Sequence, residues 1–472
     1  MDSFFSFSVV MWMALGSSFF QDIVGTWVGT LKIGAQELRL ALHLSRLEEG
    51  YSAKLDSLDQ GVLGIPCDRA TFEKGILVFE IHSLGVRFEG NLIEKGDEDE
   101  IVGTFRQGGI SLPLTLKRGE SPPPPRRPQT PQPPFPYLIE EVSYSNEEKS
   151  VTLAGTLTLP QDEGPFPAVI LISGSGLQDR DETVFGHRPF WVLADFLTRH
   201  GIAVLRVDDR GVGKSKGEVQ NATSKDFSED VKASFRFLKT RKEVDGKRIG
   251  LIGHSEGGLI AAMVASEVPE VAFIVMMAGS AVPGKDLLPL QVYKQSVASG
   301  MSEDGARKIE SLMRKFYEAV IAESDQVKVQ ERIRAVLEGS LAEMEDELRE
   351  VVRVFESQVG NLATFLATPW TRFFLTYDPA EALKKVRCPV LALNGALDTQ
   401  VDAGQNLLAI ARALEEGGNT DYTIVKVPGV NHLFQTAVTG SPLEYAKIEE
   451  TLSPKVMEMI KDWILVRSGG KG

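Results

Sequence analysis

The chain has 472 residues, 43% of them hydrophobic and 25% charged, and a formal net charge of −14. That length predicts two or three domains, and the acidity argues against a nucleic-acid partner, because phosphate binding needs a concentrated basic surface. The two cysteines, Cys67 and Cys388, fall in what read as different domains, so neither a structural disulfide nor a metal site is expected from them.

Residues 1–20 read as a possible signal peptide. An apolar core from Phe4 to Gly16 precedes small residues at Ser17 and Ser18, although Asp2 stands where a basic segment belongs. A secreted or periplasmic location is therefore expected, with a cytoplasmic one as the alternative. No later segment is apolar for long enough to span a bilayer, so the mature chain is expected to have no membrane span.

From 21 to 119 the pattern has period two. Leu38-Arg39-Leu40-Ala41-Leu42-His43-Leu44, Ile76 to Ile81, Val86 to Gly90 and Leu112 to Leu116 alternate between turn residues. Short alternating strands at even spacing predict a small antiparallel β-barrel or sandwich, with Trp27 plugging its base. His43 and His82 sit at alternating strand positions and read as structural. Residues 120–136 are a proline-dense linker, Ser121-Pro122-Pro123-Pro124-Pro125 through Pro136, for which an extended polyproline conformation is expected.

From 137 to 472 continuous apolar runs alternate with helix-length segments. The runs are Ala168 to Ile172, Ile202 to Val207, Ile249 to Ile252, Val271 to Met277, Val390 to Leu393 and Thr423 to Val427. Such strands between amphipathic helices predict an α/β domain, a mostly parallel sheet with helices on both faces. Tyr137 onward and Val151 to Leu159 are expected to form an antiparallel edge. Between 286 and 376 the rhythm stops. Helical stretches such as Ala306 to Ile321, Val327 to Leu337 and Met344 to Val359 replace the strands, and an insertion at this point predicts a helical cap above the active site.

Gly253-His254-Ser255-Glu256-Gly257 follows the Ile249–Ile252 run directly and opens a small-residue helix. Strand, tight turn with serine, then helix is the context of a nucleophile elbow. A serine hydroxyl needs a base to take its proton and a third group to orient that base. His432, in the loop after the last strand, is the expected base, since loops at that sheet edge collect catalytic groups. His254 is read as pointing elsewhere, and His200 closes a helix. Asp398, just past a buried strand, is the expected acid; Asp402 reads as the cap of the helix starting at Ala403. The order Ser255, Asp398, His432 is that of serine–acid–histidine hydrolases.

The oxyanion hole is expected to use the N–H of Glu256 and a donor from Ser173-Gly174-Ser175-Gly176-Leu177. Ser175 is favoured, with Gly176 or Leu177 open because the register is unsettled; Gly174 and Leu177 are expected beside the substrate. Asp208-Asp209-Arg210-Gly211-Val212-Gly213-Lys214-Ser215 contains Gly-Lys-Ser, but Asp208 occupies a position where a phosphate loop needs glycine. This loop reads instead as a brace, with Arg210 paired to a carboxylate.

Taken together, Ala168 to Asp181, Asp208 to Ser215, Gly253 to Gly258, Leu393 to Val401 and Gly429 to Phe434 resemble α/β-hydrolase carboxylesterases of bacteria, related to the serine aminopeptidase and acyl-peptidase branch. The resemblance covers Tyr137 to the end and implies the α/β-hydrolase fold, an acyl-enzyme mechanism and no cofactor. Ser173-Gly174 departs from the more familiar His-Gly start of the oxyanion loop. The expectation is a serine carboxylesterase for small-molecule, short-chain acyl esters, with a serine peptidase, aminopeptidase or acyltransferase as the alternative. A non-catalytic binding protein is the rival from another class.

Overall fold

In a computed structural model, the structure describes residues 23–33, 36–95, 99–107, 110–120, 123, 125–146, 150–344, 349, 352, 359–360 and 362–468. The expected signal peptide and most of the expected helix Met344 to Val359 lie outside them. The chain forms two compact units, residues 1–123 and 124–472.

The first unit carries nine strands: β1 (Gly25–Ile33), β2 (Gln36–Arg46), β3 (Tyr51–Ser57), β4 (Val62–Pro66), β5 (Arg69–Glu73), β6 (Ile76–Ile81), β7 (Val86–Ile93), β8 (Glu100–Gln107) and β9 (Ile110–Arg118). They form one antiparallel sheet in the order β4-β3-β2-β1-β9-β8-β7-β6-β5. The sheet is curled into a half-barrel rather than closed, because β4 and β5 stand at opposite ends of that order. Alternation supplies its core: Leu40, Leu42 and Leu44 point inward with Leu77, Phe79 and Ile81. Trp27 is fully buried there, donates from Nε1 to the Ile23 carbonyl at 2.8 Å and lies under the Arg118 guanidinium. His43 is structural, held between Thr26 and Asp56.

The second unit holds an eight-stranded sheet of β10 (Tyr137–Asn146), β11 (Val151–Pro160), β12 (Phe166–Ile172), β13 (Ala203–Val207), β14 (Val244–His254), β15 (Ile274–Met277), β16 (Val390–Gly395) and β17 (Tyr422–Val427). The order is β10-β11-β13-β12-β14-β15-β16-β17. β10 and β11 are antiparallel, as is the β11–β13 pair, and every pairing from β13 through β17 is parallel. This is the α/β-hydrolase arrangement with its antiparallel edge. Apolar runs without polar alternation are what a sheet covered on both faces requires. On β12, Ala168, Ile170 and Ile172 enter one core while Val169 and Leu171 enter the other. Each large apolar side chain so buried contributes about 1.5–3 kcal/mol.

Helices α1 (Pro189–Arg199), α2 (Ser224–Lys239) and α3 (Glu256–Glu267) follow β12, β13 and β14. Between β15 and β16 the described residues form no strand, but α4 (Gly284–Ala298), α5 (Glu303–Ala322), α6 (Gln326–Glu343) and a short helix Pro369–Thr376. These cap helices have a core of their own, including Leu312, Phe316, Val320, Ile333 and Leu337. That explains why apolar residues recur at helical spacing in a stretch that makes no strand.

The second half of the proline-rich stretch is not a free spacer. Arg127 donates to the carbonyls of Phe185, Ala446 and Ile448, and Gln129 exchanges hydrogen bonds with Thr451 and Leu452. Proline lacks an N–H to offer, so the docking relies on the two polar side chains between the prolines. Both cysteines are free and half-buried.

Candidate active site

The sharp turn at Ser255 explains the glycines around it. Ser255 has φ 53° and ψ −118°, a strained conformation for a residue with a side chain. A Cβ on Gly253 would stand 2.0 Å from the Gly257 carbonyl oxygen, and one on Gly257 would stand 2.1 Å from that of Ile172. The turn is anchored by the Ser255 N–H, which donates to the Met277 carbonyl on the neighbouring strand at 2.8 Å. Glu256 begins α3, so its N–H has no acceptor within the helix and is positioned to meet negative charge at the helix N-terminus.

His432 and Asp398 meet although 34 residues separate them. His432 Nδ1 lies 2.8 Å from Asp398 Oδ2, and both side chains are buried. The other carboxylate oxygen, Oδ1, accepts the N–H groups of Gln400 and Val401 at 2.8 and 2.9 Å. The carboxylate is thus fully engaged and has a single orientation. Ser255 and His432 line the same cavity of about 300 Å³. Among the described residues the Ser255 hydroxyl makes no hydrogen bond, and what joins it to the imidazole is the cavity both line. The other walls are mostly apolar, from Leu287, Leu288, Trp370, Phe374, Val401 and Leu433.

The loop after β12 is held by two carboxyl groups, Glu182 and Asp209, that sequence reasoning did not assign to it, and a third, Glu256, lies beside it. Glu182 Oε1 accepts the Gly174 N–H at 2.7 Å. Asp209 accepts the Ser173 hydroxyl at 3.0 Å and the Gln178 N–H at 2.8 Å, clamping both ends of the loop. Glu256 accepts from the Ser224 hydroxyl at 2.5 Å and from the Trp370 indole N–H at 3.0 Å. The last bond ties the short helix Pro369–Thr376 to the start of α3. Gly174 sits against Ser255, where an added Cβ would lie 3.2 Å from that of the serine. Gly174 and Ser175 line the cavity with Ser255, whereas Gly176 lines a smaller neighbouring one and Leu177 is exposed. The Gly174 N–H, already donated, is not available to an oxyanion.

The charged residues near this loop are committed internally. Arg180 pairs with Asp208 and Glu141, Asp181 with Arg206, and Arg210 with Asp230. The Asp208–Ser215 loop is therefore a brace, as its sequence suggested. Asp402 caps its helix by accepting the Gln405 N–H at 2.7 Å. The signal for the clamps was visible only as the acidic run Asp179, Asp181, Glu182; nothing local marks Trp370.

Burial favours the neutral form of two of these groups. It raises the Glu256 carboxyl despite hydrogen bonds from Ser224, Trp370 and Ser175. It pushes Asp209 up to about 7, against the Gln178 and Ser173 bonds and with help from the charges of Glu182 and Glu256. A carboxyl raised on folding contributes most below its unfolded value of 3.8, and the contribution is lost as pH rises through about 7. Asp209→Asn cannot ionise and retains an acceptor oxygen. It is expected to gain stability relative to the parent as pH rises from 4 to 8, by up to about 3 kcal/mol. Thermal denaturation at several pH values measures this, and a gap that does not change with pH would contradict it.

A family model described as X-Pro dipeptidyl-peptidase (S15 family) matches residues 126–429. The esterase EstD of Thermotoga maritima is 28% identical over 339 residues, 70% of each chain. Among solved structures, the Pyrococcus furiosus esterase Pf2001 is 20% identical, covers 62% of this chain and 83% of its own, and has a TM-score of 0.38. The α/β hydrolase GrgF from Penicillium sp. sh18 is 16% identical, covers 70% and 99%, and has a TM-score of 0.43.

Proposed function

The chain belongs to the X-Pro dipeptidyl-peptidase (S15) family and is a hydrolytic enzyme of the α/β-hydrolase superfamily; from that premise we propose that it is a serine hydrolase acting through Ser255, His432 and Asp398. The observation that carries the reading is the buried 2.8 Å Asp398–His432 pair, whose imidazole lines one cavity with a serine in the elbow conformation. Ser255 Oγ attacks an acyl carbonyl while His432 Nε2 takes its proton. Asp398 holds the Nδ1–H and stabilises the imidazolium. The Glu256 N–H and a second donor from the Ser175–Gly176 region receive the oxyanion. His432 then protonates the leaving group, and water releases the acyl chain.

For the bond cleaved, a peptide amide is the reading that the S15 membership supports, ahead of the carboxylic ester favoured from the sequence. The apolar walls around Trp370, Phe374, Val401 and Leu433 suit a proline ring on the acyl side. The ester reading keeps one specific observation: Glu182, the carboxylate lining this cavity among the described residues, has Oε1 engaged by Gly174 and His254. That leaves it poorly placed to receive a peptide's ammonium group. The relative EstD is likewise an esterase by name.

A panel of aminoacyl-prolyl anilides, N-acylated anilides and p-nitrophenyl esters separates the two. The expected result is the highest kcat/KM, relative to each uncatalysed rate, on the anilides with a free amino terminus. Turnover confined to the esters would overturn the peptidase reading.

A further inference from the structure

His254, the residue before the nucleophile, is buried between two acceptors. Its Nε2 lies 3.0 Å from the main-chain oxygen of His432, and its Nδ1 lies 2.9 Å from Glu182 Oε1. A carbonyl oxygen only accepts, so Nε2 carries a proton. Glu182 Oε1 already accepts the Gly174 N–H. An oxygen receiving two donors suits the ionised carboxylate, which places a second proton on Nδ1.

We propose that His254 and Glu182 form a buried imidazolium–carboxylate pair that positions the base against the oxyanion loop and holds a positive charge beside His432. The proposal deepens the hydrolase reading and rests on it for the role of His432. Two consequences follow from the geometry. Through Glu182 the pair grips Gly174, which lies against Ser255, and through Nε2 it grips the backbone of His432; one side chain thus spans both halves of the site. The His254 and His432 rings are 4.8 Å apart between centroids, so a cation on the first opposes a second cation on the other.

The charged and titratable groups around His254 come from three segments. Glu182 lies on the loop before α1, Asp398 follows β16, and His432 follows β17. The remaining neighbours, Phe190, Leu193, Met277 and Phe434, are apolar. Burial works against the charged ring, yet the charge and hydrogen bond of Glu182, with the His432 carbonyl and Asp398, raise its proton affinity overall. An ion pair so enclosed is costly to break from one side, because the remaining charge is left without a partner.

Histidine 15N NMR of the full chain tests the charge without substrate. A ring still doubly protonated above the usual imidazole range, absent from His254→Gln, is expected; a spectrum with no doubly protonated ring there would overturn the pair, whether or not the variant folds. The kinetic arm compares pH profiles. In His254→Gln the acid limb of kcat/KM is expected to move up by about one pH unit, because Glu182 then faces the base uncompensated. A lower rate with the limb unmoved would mean a merely structural role and overturn the electrostatic one. Failure of the hydrolase reading would appear instead as no turnover on any substrate, with the NMR result unaffected.

Discussion

Ser255→Ala is expected to lower kcat by about 10⁶-fold on whichever substrate proves best, the loss typical when a triad nucleophile is removed. The strained turn is built by the backbone, through Gly253, Gly257 and the Ser255 N–H bond to Met277, and alanine preserves all of these. At a φ of 53° alanine and serine bear similar strain, so the fold should be retained within about 1 kcal/mol. What disappears is the attacking oxygen. A residual rate attributable to the oxyanion donors and binding would remain, of order 10³ over water. Steady-state assays beside thermal denaturation check both halves. Activity within tenfold of the parent, with an intact fold, would remove Ser255 from the mechanism.

Asp398→Asn is expected to lower kcat by about 10⁴-fold with little effect on KM. The reason is specific to how this carboxylate is held. Oδ1 receives the N–H groups of Gln400 and Val401, so the asparagine oxygen is drawn to that side. Its amide nitrogen then faces His432 Nδ1, which must accept, and the imidazole proton moves to Nε2. That is the atom whose lone pair the reaction needs. The change is nearly isosteric, so stability should move far less than rate. Combining it with Ser255→Ala is expected to cost little beyond the serine change alone, because the three groups act as a unit. Independent, multiplicative losses would argue that Asp398 acts elsewhere.

The parallel sheet, its antiparallel edge and the helical cap were legible because each rests on local periodicity. Ala168 to Ile172 has no polar alternation, and a strand with that pattern needs cover on both faces. The tight turn at Ser255 was legible for a similar reason: Gly253, Ser255 and Gly257 are spaced by a steric requirement that acts within one turn. The half-barrel was harder to read. Alternation marks Leu40, Leu42 and Leu44 as inward-facing, but whether a curled sheet closes depends on contacts between β4 and β5, which period two does not encode. The linker was misread in part, since proline density reports backbone stiffness and says nothing of what Arg127 and Gln129 reach.

By itself, then, the sequence determined which segments are strands, which are helices and where a serine could be held in a strained turn. These follow from side-chain volume, polarity and glycine placement over a few residues. Only the tertiary structure decided what surrounds that serine. Glu182 meets His254 across 72 residues, Trp370 meets Glu256 across 114, and His254 meets the His432 carbonyl across 178. Such bonds form because burial makes an unpaired polar group costly, and no local pattern states which distant partner will satisfy it.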